Sequence, residues 1–194
     1  MEFHEYLYQR ILKVMQGWPQ GQVVAISFLV HANELGKYHR IPNFPQLSIT
    51  YNADASTATD TSSEEFWNTA LWDAEEYDIV EAAEDDQGAA LLLAWLKEQR
   101  VIVGKRENEA EAYDENMEYI GKGPGGFYEL LQLVADIART MQQNGAIQEL
   151  FGHPTPIFVH DLEYAWYSDE ATARANPNGE ADAFLHRTEE SSLR

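Results

Sequence analysis

The chain has 194 residues, 33 acidic and 13 basic, giving a formal net charge of −20, and it contains no cysteine. That balance excludes a protein that tracks a nucleic-acid backbone, which needs Lys and Arg against the phosphates. The missing thiols exclude disulfide staples, Cys-ligated metals and thiol nucleophiles. A hydrophobic fraction of 44% with 12% aromatics is enough to build a core, so the charge does not imply disorder.

The length fits a single domain over residues 1–194. The first residues carry Glu2 and Glu5 where a secretion signal would be basic, and the apolar runs at 23–30 and 89–96 fall far short of a membrane span. The expectation is a cytoplasmic bacterial protein with no membrane contact.

Residues 2–15 have helical spacing, with Phe3, Leu7, Ile11 and Val14 on one face. Gly17, Pro19 and Gly21 break the chain before an apolar, β-branched run at 23–30 that predicts a buried strand. Residues 46–52 alternate, with Leu47, Ile49 and Tyr51 on one side, and predict a second strand paired with the first. Residues 53–63 are small and polar and read as a loop. Ser62 and Glu65 have capping-box spacing, which starts a short helix there. A short strand is expected at 77–80.

Residues 84–100 form a predicted helix, with Glu84, Asp85 and Asp86 at its start and Lys97 and Arg100 at its end, as the helix dipole favours. Its apolar face is Leu91, Leu92, Trp95 and Leu96. Residues 101–103 extend it or form a brief strand, and 107–119 read as an acidic, partly helical stretch. The glycine-rich segment at 121–126 (GKGPGG) is a break. Phe127, Leu130, Leu131, Val134, Ile137 and Met141 then define a long helix over 127–144, stopped by Asn144-Gly145. A turn of helix or a loop at 147–151, a strand at 156–160 and a short terminal helix around 181–187 complete the chain. This order predicts an α+β fold, a small mostly antiparallel sheet packed against several helices.

The charge is unevenly textured. No Lys or Arg lies between Arg40 and Lys97, and residues 54–86 hold twelve acids interleaved with Phe66, Trp67, Trp72 and Tyr77. Aromatic anchors inside a charged rim are a common interface design, and a negative field steers a basic partner. The same aromatics could be core and the same acids a solvated surface. The partner-binding set read from the sequence is Phe66, Trp67, Trp72, Asp73, Glu75, Glu76, Tyr77 and Asp78, on an acidic segment around 53–86 expected to be mobile.

Catalytic and metal motifs are weak. His153 and His160 lie seven residues apart with Asp161 adjacent and His31 and His39 elsewhere, but no HExxH pair exists. A calcium loop begun at Asp54 puts Ala58 at a ligand position and Thr59 where glycine is required. The 121–126 segment lacks the Gly-Lys-Ser/Thr of a phosphate loop, and no G-x-S-x-G elbow occurs. No cofactor, metal or catalytic residue is assigned.

The back half runs from GGFYELLQLVADIARTMQQNGAI through LFG to PIFVHDLEY, an acidic turn and RANP, and VVAISFLVHAN follows the N-terminal helix. This order, with Trp72, Asp161 and Asn176-Pro177, resembles the bacterial domain-of-unknown-function family 4303. The resemblance implies an α+β bacterial cytoplasmic domain and supplies no activity or site residues. The leading functional expectation is a non-catalytic domain that binds a basic protein, such as an immunity protein neutralising a basic toxin. The alternatives are an enzyme with a site near His31, His160 and Asp161, and an acidic mimic of nucleic acid that itself binds none.

Overall fold

The computed structural model describes residues 1–33, 41–80, 87–162 and 165–186. Helix α1 (Phe3–Met15) buries Phe3, Tyr6, Leu7, Ile11 and Met15 along one stripe. Met15, rather than Val14, closes that stripe. Strand β1 (Ala25–Asn33) pairs antiparallel with β2 (Phe44–Asn52) along its whole length, from Ala25 opposite Asn52 to Asn33 opposite Phe44. Strand β3 (Tyr77–Val80) adds antiparallel to β2, and β4 (Ile157–His160) adds parallel to β1. The sheet order is therefore β3-β2-β1-β4, mixed but mostly antiparallel, in an α+β fold.

The other helices are α2 (Glu64–Trp67), α3 (Gln87–Glu98), α4 (Glu109–Ala112), α5 (Phe127–Gln143), α6 (Ala146–Phe151) and α7 (Trp166–Ala175). Residues 182–186 add a last turn of helix. No helix among the described residues is long and apolar enough to cross a membrane.

The two faces of the sheet differ because side chains alternate along each strand. Ile26, Phe28 and Val30 on β1, Leu47 and Ile49 on β2, and Ile157 and Val159 on β4 join one large core with α1, α3, α5, α6 and α7. Helix α5 contributes most to it, burying Phe127, Leu130, Leu131, Val134, Ile137, Ala138 and Met141. The opposite face carries Ser27, Ser48, Thr50, Asn52 and His160, all buried. Its apolar cover is a small second core of Ala25, Phe66, Phe158, Ala181 and Phe184.

The open edge of β4 is closed by side chains of α7. Asn176 accepts a hydrogen bond from the Ile157 N–H at 2.9 Å and donates to the Ile157 carbonyl at 2.8 Å. Thr172 accepts from the Val159 N–H and donates to the Val159 carbonyl. The Asp161 N–H donates to Ser168. Residues four apart on a helix advance about 6 Å, close to the rise of two strand residues, so one helical stripe can serve one strand edge.

Three local expectations are corrected. The short helix after the 53–63 loop is capped at Ser63, not Ser62, and without a side-chain bond. Residues 101–103 are neither helix nor strand. The acidic 107–119 stretch holds only the single turn α4, followed by a turn in which Asp114 accepts from the Asn116 and Glu118 N–H groups. Like charges four apart, such as Glu107 with Glu111 and Glu111 with Glu115, disfavour a continuous helix there. The acidic start expected for α3, with Glu84, Asp85 and Asp86, lies outside the described residues, as do His39 and Arg187.

Candidate functional site

Strand β2 ends at Asn52, and this buried amide organises the loop after it. Its Nδ2 donates to Thr57 Oγ1 and to the carbonyls of Glu65 and Phe66, while its Oδ1 accepts from the Asp54 N–H. The loop is thereby folded back onto the strand end. Asp54 and Asp60 each form a small turn by accepting from the hydroxyl and N–H of the serine two residues on, Ser56 and Ser62. Those same bonds, the serine hydroxyls first, hold both carboxyls below the usual aspartate range and keep them charged.

The result is a cavity of about 680 Å³ beyond the end of β2. Asp54, Asp60, Glu65 and Asp73 line it together with Tyr51 and Trp72, and no Lys or Arg among the described residues does. The Trp72 indole nitrogen is buried there without a hydrogen-bond partner.

The residues expected from the sequence separate into three groups. Trp72 and Asp73 line the cavity. Phe66 is buried edge-on against Phe158, and Trp67 packs 5.7 Å from Phe184, so these two form the floor beneath the loop. Tyr77 turns into the main core beside Trp18. Asp73, Glu75, Glu76 and Asp78 are exposed around β3, and the Glu76 carboxylate accepts a hydrogen bond from Ser48. From the sequence, Asp54 stands out as the start of a calcium loop that fails, Glu65 as a capping-box partner, Asp60 as charge alone, and Asn52 has no role. An Asn at the end of an alternating strand, followed by Asp-x-Ser, is the signal that marks this turn.

Two further regions bear on chemistry. At the carboxyl ends of the parallel pair β1 and β4, a cavity of about 410 Å³ brings together His31, Asp161, Tyr119, Phe127 and Tyr167. The Tyr167 hydroxyl donates to Asp161. Tyr119 is pushed up to about 12 by burial and by its hydrogen bond to Glu107. His160 is not in that lining. It is buried on the second face of the sheet, with Nε2 2.7 Å from Ser27 Oγ and Nδ1 2.7 Å from the Asp161 carbonyl. A carbonyl only accepts, so Nδ1 carries the proton and Nε2 accepts from the Ser27 hydroxyl. Ser27 has no exposed surface, so this Ser–His pair is sealed from substrate. Among the described residues no three His, Asp or Glu side chains are grouped as a metal ion requires.

The glycine-rich segment is a clasp. Every N–H from 121 to 126 has a protein acceptor: the Ala112 carbonyl for Gly121, Glu107 for Lys122, Tyr119 Oη for Gly123, the Lys105 carbonyl for Gly125 and Glu129 for Gly126. A phosphate would find no free amide there. The Gly104 N–H returns the bond to the Gly125 carbonyl at 2.9 Å. A Cβ on Gly104 would lie 2.1 Å from the Pro42 carbonyl oxygen, and one on Gly125 would lie 2.1 Å from that of Ile102, so only glycine permits this contact.

Compared with protein families, with curated proteins and with solved structures, the chain has no match.

Proposed function

We propose that this chain is a non-catalytic binding domain that captures a basic protein, in the manner of a bacterial immunity protein neutralising a basic toxin. The observation that carries the reading is the cavity at the end of β2, where the described lining holds four carboxylates and no base. A Lys or Arg side chain entering it meets carboxylates from the loop and from Asp73, with Trp72 and Tyr51 in the lining beside them. Glu64, Glu75 and Asp78, exposed on the same segment, extend the negative field that draws such a partner in.

The concave form favours an anchor interface over a nucleic-acid mimic. A mimic needs carboxylates in rows at phosphate-like spacing. Here they surround a hollow with an aromatic wall. The resemblance of the back half to family 4303 is compatible with this reading and assigns no activity of its own.

The test compares capture of cell proteins by the wild type and by the variant Asp54→Asn, Asp60→Asn, Glu65→Gln, Asp73→Asn. A basic protein held by the wild type, released by salt and lost to the variant supports the proposal. Identical capture by both overturns it.

One observation supports a second reading, an enzyme. His31 and Asp161 line a single cavity at the carboxyl ends of the parallel pair β1 and β4, a position that ligand sites take in open parallel sheets. Activity on a generic hydrolase panel, abolished by His31→Ala with folding intact, would replace the binding reading.

A further inference from the structure

The segments 100–106 and 121–126, held together by the Gly104–Gly125 and Gly125–Lys105 backbone bonds, border an open cavity of about 920 Å³. Gly104 packs on Pro42, just ahead of β2, whereas the acidic cavity lies beyond the other end of that nine-residue strand. The lining of the open cavity holds Arg100, Lys105, Arg106 and Lys122, four of the 13 bases in a chain with 33 acids.

Three of these cations are not neutralised as such a composition would lead one to expect. The ion pairs among the described residues join Arg139 and Arg174 to Asp136, and none reaches Arg100, Lys105 or Lys122. The cavity has three carboxylates of its own, Glu107, Glu111 and Glu129. Glu107 is occupied by the Lys122 N–H and the Tyr119 hydroxyl, and Glu129 by the Gly126 N–H. The four bases outnumber the three carboxylates, and two of those carboxylates are turned to backbone and hydroxyl donors, so an anion seated among the bases gains charge-assisted hydrogen bonds.

We infer that this cavity binds a small organic anion with two or more negative charges. The bases come from both sides of the clasp, Arg100, Lys105 and Arg106 from one segment and Lys122 from the other, so an anion with more than one charged group can engage both sides. Lys122 Nζ is already placed 4.7 Å over the Tyr128 ring. Ile102 and Ile120, 70% and 52% exposed, border the bases and offer apolar surface to the organic body of the ligand. Recognition is through side chains, because the amides of the glycine segment are all engaged. The site is independent of the acidic cavity and of the partner proposed for it.

The test is a titration of the isotope-labelled full chain with pyrophosphate and, separately, with citrate, followed by backbone amide shifts. The expected result is saturable shifts confined to residues 100–106 and 121–128, weakened by salt. In the variant Lys105→Gln, Lys122→Gln, binding should weaken by about tenfold or more, as loss of charge-assisted contacts predicts. Both lysines are exposed, so the variant keeps the fold, which its unchanged spectrum elsewhere verifies. The tighter of the two probes names the charged group, phosphate or carboxylate. No saturation by either probe, saturation centred on other residues, or equal affinity in the variant overturns the inference.

Discussion

Asn176 and Ile157 are joined as two strands would be, the side-chain amide of one accepting from the N–H and donating to the carbonyl of the other. Asn176 also donates to the Thr172 carbonyl and is 5% exposed. Removing it leaves the Ile157 N–H and carbonyl buried without partners. Asn176→Ala should therefore cost about 3 kcal/mol, since each orphaned buried group costs on the order of 1–3 kcal/mol. A urea denaturation curve with an unchanged slope and a lower midpoint is the expected record.

His160 should make the protein sensitive to mild acid. Burial pushes its imidazole below the ordinary histidine value, against the smaller opposing effects of its bond to the Asp161 carbonyl and the charges of Asp161 and Glu76. The folded state thus prefers the neutral ring, while the unfolded chain takes up a proton near pH 6.5. The contribution is complete above about pH 6.5 and is lost as pH falls below it. His160→Gln should flatten the dependence of the urea midpoint on pH between about 5 and 7. An unchanged slope in the variant would assign the effect elsewhere.

Asn52 should control the acidic cavity from below. Four hydrogen bonds from one buried amide position Asp54, Thr57, Glu65 and Phe66. Asn52→Ala should lower stability by about 2 kcal/mol. Its more specific effect should be faster amide exchange in residues 54–66 than in β1 or α5, measured by mass spectrometry.

The clasp gives a steric prediction. Gly125→Ala places a methyl group against the Ile102 carbonyl, so the 100–106 and 121–126 segments must separate. A loss of about 2 kcal/mol or more is expected, whereas Ala at Gly145, where the added carbon meets nothing, should cost about 1 kcal/mol for its positive φ alone. Thermal melts of the two variants compare them directly.

If the acidic cavity receives a basic partner, charge should govern encounter more than residence. Neutralising Asp54, Asp60, Glu65 and Asp73 should slow association by about tenfold at low salt and alter dissociation less. Surface plasmon resonance at two salt concentrations separates the two rates. Slowed association that does not depend on salt would contradict steering.

The sequence by itself determined the fold class. Helical spacing in α1 and α5 reflects burial of one face, whereas alternation in β2 separates apolar side chains on the main core from polar ones on a second face that is also buried. It also located the acids, because charge is read residue by residue. It did not determine which aromatics were anchors. Phe66 and Trp67 carry the same sequence signal as Trp72, yet two meet Phe158 and Phe184 from the far end of the chain and one faces the cavity. Only the tertiary structure decided that, because pairing between residues about a hundred apart leaves no local pattern. For the same reason it alone brought His31 to Asp161 and turned His160 onto Ser27.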